Sequence, residues 1–134
     1  MIIHLTNQEL NSLREEAKKG YPIEACAMLF GKTTKGEAFV RRIEVAPNIL
    51  RSTVRFEIEP QKVLQSFREA EESGLEFIGI FHSHPAPATP SALDLRYMRL
   101  WGNAVWLILS STEGNFAAFQ MTNGQVHEVK LEVK

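Results

Sequence analysis

The strongest constraint on how this chain can fold is the segment Phe77-Ile78-Gly79-Ile80-Phe81, which runs directly into His82-Ser83-His84-Pro85. Five apolar residues without alternation predict a strand buried on both faces. Two histidines at i and i+2 of an extended chain project to the same side. Pro85 disfavours helical backbone at His84 and keeps that residue extended. The backbone therefore holds two imidazoles parallel at the exit of a buried strand, a usual place for functional side chains on a rigid scaffold.

The flanking sequence supplies the rest of a sheet and three helices. Residues 1–5 read as a short strand. Thr6 and Glu9 form a T-x-x-E capping box, with Leu5 and Leu10 as its hydrophobic staple. Leu10, Leu13 and Ala17 make a helical stripe that Gly20 and Pro22 end. Residues 24–32 and 37–46 read as a hairpin turned at Lys35-Gly36. Val54 to Ile58 alternates with period two and predicts a half-buried strand. Pro60 suits the first turn of a second helix with Val63, Leu64, Phe67 and Ala70 on its apolar face. A third helix is expected from Ser91 to about Trp101, with Leu93, Tyr97 and Leu100 on one side. Ala104 to Leu109 is a further strand, and Asn123-Gly124 turns the final hairpin. This order predicts an α+β fold with a mixed or largely antiparallel sheet. At 134 residues it suits a single domain over 1–134.

Composition removes several function classes. The net charge of −1 and the scattered basic residues argue against a nucleic-acid partner. No apolar run approaches the ~20 residues needed to span a bilayer, so no membrane association is expected. The N-terminus lacks a signal-peptide pattern, which makes a cytoplasmic location the default. A single cysteine, Cys26, rules out an intrachain disulfide and a multi-cysteine metal site, and reads as a small buried residue.

Three prolines among residues 85–90 stiffen the loop that returns the chain to Asp94, the only aspartate present. Two imidazoles and one carboxylate suit Zn²⁺, and three protein ligands leave the fourth position open, as in catalytic sites. His82, His84 and Asp94 are thus the candidate metal ligands of a zinc-dependent hydrolase. Two blander readings compete. The histidines could be polar strand-end residues. Ser91-Ala92-Leu93-Asp94 is also an S-x-x-D capping box. For Asp94 taken alone, capping is the better reading, and one carboxylate is not expected to cap and ligate well at once.

The segment resembles the metalloprotease motif of the JAMM (MPN-plus) family, in its compact prokaryotic form. The likeness rests on His82-Ser83-His84-Pro85, on Pro90-Ser91-Ala92-Leu93-Asp94, and on Pro22-Ile23-Glu24-Ala25-Cys26-Ala27-Met28-Leu29-Phe30-Gly31. It covers nearly the whole chain. Ala27 stands where the family often has Gly, and the two long insertions of eukaryotic relatives are missing. The resemblance implies a cytidine-deaminase-like MPN fold, a central mixed sheet flanked by helices. It implies one Zn²⁺ held by His82, His84 and Asp94, Glu24 as general base, and Ser91 as hydrogen-bond donor to the oxyanion. It further implies an isopeptidase that cuts after the C-terminal Gly-Gly of a ubiquitin-like modifier. Two alternatives stand beside it: a peptidase that processes a sulfur-carrier protein, and a non-catalytic scaffold. A substrate groove is expected near residues 50–58, with Val54 and Phe56 lining it. A homodimer is compatible with this reading.

Overall fold

A computed structural model describes all residues, Met1–Lys134. The elements are β1 (Ile2–Leu5), α1 (Asn7–Gly20), β2 (Cys26–Thr34), β3 (Glu37–Ala46), α2 (Pro60–Glu72), β4 (Glu76–His84), α3 (Ala92–Leu100), β5 (Val105–Ser110), β6 (Phe116–Thr122) and β7 (Gln125–Val133). The strands lie in the order β1-β3-β2-β4-β5-β6-β7 and close into a barrel. The sheet is mixed. β1 runs parallel to both β3 and β7, and β4 runs parallel to β5. The remaining pairs are antiparallel hairpins or the β2–β4 pair. Closure leaves no open edge to be protected against pairing with other chains. No helix is long and apolar enough to cross a membrane.

Local chemistry explains the element ends. Thr6 Oγ1 accepts from the Glu9 N–H at 3.0 Å, and the Glu9 carboxylate accepts from the Thr6 N–H at 2.8 Å, so the box predicted for α1 is complete. Pro60 occupies the first turn of α2. Two of the three hairpin turns use left-handed backbone at consecutive residues, which Lys35-Gly36 (φ 48° and 81°) and Asn123-Gly124 (φ 53° and 77°) supply.

The core has two sides. Every strand contributes to the first, including Ile3, Leu29, Phe81 and Leu107, and α1 packs into it with Leu10, Leu13 and Ala17. Against the opposite face of the sheet, α2 and α3 cover Met28, Phe30, Ile80 and Trp106. An irregularity between β2 and β4 pairs Leu29 with Gly79 but Phe30 with Phe77, skipping Ile78. The skipped residue changes which side chains face which way, so Ile78 and Phe81 share the first side while Ile80 faces the helices.

Three expectations need correction. Val54 to Ile58 is not a strand: residues 50–59 are irregular, because every strand of the closed sheet already has two partners. Leu64 of α2 is exposed, and Ser66 and Ala70 are the buried positions of that helix. Leu100 of α3 is also exposed, at 80%. The buried face of α3 is Asp94 and Met98, one helical turn apart. A polar residue on the inner face of a helix is invisible to hydrophobic periodicity, and that displaced the expected stripe.

Gly79 carries the close approach at the centre of the sheet. A Cβ there would lie 1.8 Å from the Val105 carbonyl oxygen, a backbone atom that cannot rotate away. Gly79→Ala is therefore expected to destabilise the fold by about 3 kcal/mol, the upper part of the usual overpacking cost. Denaturant unfolding measures this, and a loss under about 1 kcal/mol would show that β4 and β5 separate easily.

Candidate metal centre

The exit of β4 brings His82 and His84 to one place. Cys26 of β2 and Ile108 of β5 pair with His82 on either side. Ser83, between the histidines, points the other way. Its Oγ accepts from the Ala25 N–H at 3.0 Å, and its own N–H donates to the Ala25 carbonyl at 3.0 Å. These bonds tie the segment carrying Glu24 to the histidine strand. Glu24 itself precedes β2 and is 3% exposed.

The chain returns through Pro85–Pro90 to Ser91, which caps α3. Ser91 Oγ accepts from the Asp94 N–H at 3.1 Å, and Asp94 Oδ2 accepts from the Ser91 N–H at 2.9 Å. The same Oδ2 lies 3.3 Å from His82 Nε2. The same carboxylate thus closes the cap and stands in the cluster. The box aims the carboxylate inward and fixes its direction.

Ligand atoms of His82, His84 and Asp94 lie within 4.8 Å of one another, and all three side chains are buried. The two nitrogens of His82 face carboxylates, Nδ1 at 3.3 Å from Glu24 Oε1 and Nε2 at 3.3 Å from Asp94 Oδ2. Neither approach has hydrogen-bonding alignment, and no ring nitrogen of His82 or His84 finds a partner. Buried polar atoms left unsatisfied are costly. A metal ion accepting one nitrogen from each ring and an oxygen of Asp94 relieves that cost, so the donor set fits a divalent metal.

Electrostatics follow the same geometry. Burial opposes charge on His82, but Asp94 and Glu24 outweigh it and raise the imidazole to about 9. His84 is held below the usual histidine range by burial and by the neighbouring His82. Burial would raise Asp94, yet the His82 contact and the Ser91 hydrogen bonds hold it below the usual carboxylate range. Burial, with the Glu24 charge, pushes the Cys26 thiol up to about 12, and its Sγ donates to the Ala46 carbonyl at 3.4 Å. Cys26 is therefore a protonated packing residue under ordinary conditions.

A cleft of about 330 Å³ opens over this cluster, lined among others by Glu24, Val54, His84, Pro90 and Ser91. Val54 is 68% exposed at its rim. Phe56 does not line the cleft. Its ring stacks on His82 with centroids 5.0 Å apart and planes at 24°, and Trp106 meets His82 edge-on at 5.7 Å. Two residues of this site escaped the sequence reading. Trp106 read only as part of a strand. Asn48 read only as a break after Pro47, although an Asn between a strand and a long loop is a common side-chain anchor for backbone groups.

Residues 6–122 match the family described as prokaryotic homologs of the JAB domain. The chain belongs to that family, and its His-His-Asp triad is that of a JAMM-type, zinc-protease-like enzyme. It is 38% identical over 114 residues to a desampylase of Pyrococcus furiosus, an alignment spanning 84% of this chain and 77% of that one. It is 32% identical over 123 residues to a probable TtuB-protein conjugate cleaving protease of Thermus thermophilus, spanning 90% and 72%. The solution structure of a Desulfitobacterium hafniense protein superposes with a TM-score of 0.89 at 28% identity, covering 100% of this chain and 93% of that one.

With metal stripped by chelator, His82 sets the sign of a pH dependence. Its folded value of about 9 lies above the ordinary 6.5. Its contribution is thus fully present below pH 6.5 and is lost as pH rises through about 9, because the folded chain there holds a proton the unfolded chain has released. The melting temperature of the metal-free protein should fall by about 5 °C or more between pH 6.5 and 9. A flat or rising profile in a calorimetric scan would contradict the placement of His82 between the two carboxylates.

Proposed function

We propose that the chain is a zinc-dependent isopeptidase that cleaves the bond after the C-terminal Gly-Gly tail of a ubiquitin-like modifier, with residues 1–134 acting as one domain. The observation that carries this reading is the buried Glu24 carboxylate, which borders the cleft 3.3 Å from His82 and stands outside the ligand triad. A triad alone describes a metal site; an additional carboxylate facing it supplies a group to move protons. The relatives named as a desampylase and as a conjugate-cleaving protease support a protein conjugate as substrate.

His82, His84 and Asp94 would hold the zinc. When bound, zinc supplies Lewis-acid polarisation of a carbonyl and a water of lowered pKa. Glu24 takes a proton from the attacking water and returns it to the leaving amine, a role worth roughly 10²–10⁴-fold. Ser91 is oriented for the complementary task. Its oxygen accepts from the Asp94 N–H and it lines the cleft, so the hydroxyl can turn from the Asp94 carboxylate to donate to the oxyanion. The cleft walls are proline-rich and Val54 stands at the rim, so a thin, extended tail suits it better than a bulky segment. Phe56 serves this site by packing on His82 rather than by touching substrate.

An assay on lysine conjugates and linear fusions of Gly-Gly-terminated modifiers tests the reading. Cleavage is expected to stop with chelator, to return with zinc, and to fall about 10²-fold or more in Glu24→Gln. Cleavage that survives both chelation and Glu24→Gln would overturn the mechanism. Linear fusions cut while lysine conjugates stay intact would make the enzyme a processing peptidase for a sulfur-carrier protein.

A further inference from the structure

We infer that Asn48 is a positioning residue that ties the cleft-lining loop to the main chain of Glu24, so that the loop sets where the Glu24 carboxylate points; this rests on the role of Glu24 proposed above. Glu24 lies outside the strand ladder, and its main-chain groups are satisfied elsewhere. Its N–H donates to the Ser52 carbonyl at 2.9 Å. Its carbonyl accepts from Asn48 Nδ2 at 3.1 Å. Both bonds run to the loop between β3 and α2, which also carries Val54 at the cleft rim and Phe56 against His82.

Asn48 organises that loop from within. Its amide group also donates to the Arg55 carbonyl at 3.0 Å and, more weakly, to Ser52 at 3.4 Å. Its Oδ1 accepts from the Leu50 N–H at 3.1 Å and the Glu57 N–H at 3.2 Å. One buried side chain, 8% exposed, thus holds the Glu24 carbonyl together with four backbone groups of a loop that has no ladder of its own. Only a short side chain with both a donor and an acceptor end can do this. Asp lacks the donors, and Ala lacks both. Losing these bonds frees the loop and the Glu24 backbone together. A displacement of about 1 Å at a catalytic group can cost up to about 10²-fold in rate.

Three measurements on the full chain test the link. In the metal-free protein, Asn48→Ala should speed hydrogen exchange of the Glu24 amide about tenfold or more, while amides of β4 and β5 keep their protection. In the zinc-loaded protein, the same change should lower kcat about tenfold or more, with KM and zinc stoichiometry within about twofold. In a Glu24→Gln background, Asn48→Ala should cost almost nothing further, because the group it positions is gone. Equal rate losses in both backgrounds, or an unchanged kcat in a folded Asn48→Ala, would overturn the inference. If Asn48→Ala fails to fold, Asn48→Ser applies the same tests, since it keeps a small polar group but is too short to reach the Glu24 and Arg55 carbonyls. If Glu24→Gln alone leaves cleavage intact, the proposed mechanism fails, and the exchange measurement still decides whether Asn48 holds Glu24.

Discussion

His82 has none of its side chain in water and faces a carboxylate on each side, and that arrangement governs the rest of the molecule. A buried imidazole between two buried carboxylates is expensive unless it carries a proton or the group binds a metal. Keeping it there requires a stiff frame. β4 is that frame: it is paired on both edges, covered on both faces, and so tightly packed against β5 that residue 79 has no room for a side chain. Phe56 and Trp106 then close the open sides of the His82 ring.

The site spends few residues to place its other members. Ser91 and Asp94 use a helix cap, an ordinary device for satisfying end N–H groups, to aim a carboxylate at His82. Ser83 uses the buried position between the two histidines, on the opposite face of β4, to lash the Glu24 segment to that strand. In both cases a local hydrogen bond needed for folding also fixes a functional group. Mutating such residues changes stability and site geometry together, so the two effects have to be separated by measurement.

The loop between β3 and α2 follows a different rule from the sheet. Its alternating sequence suits a strand, but a closed barrel offers no edge to receive one. Its backbone groups turn instead to the Asn48 side chain, and the apolar residues that would have lined one strand face part company. Phe56 goes inward onto His82 and Val54 outward to the cleft rim. A loop built this way takes its shape without the strand ladder, and it borders the cleft over the metal cluster.

Much of the molecule was legible in the sequence because the signals are local. The capping boxes at Thr6 and Ser91, the Asn123-Gly124 turn, the apolar run of β4 and the order of the main elements depend on neighbours within a few residues. The spacing of His82 and His84 follows from strand geometry alone. The tertiary structure decided what depends on distant partners. It closed the sheet, which denied residues 54–58 a strand. It turned Asp94 and Met98 inward on α3 in place of Leu100. It brought Glu24, one of fifteen glutamates, across 58 positions to His82, and made Asn48 the anchor between them. No periodicity within a segment encodes such contacts, because they arise only when separate strands are laid side by side.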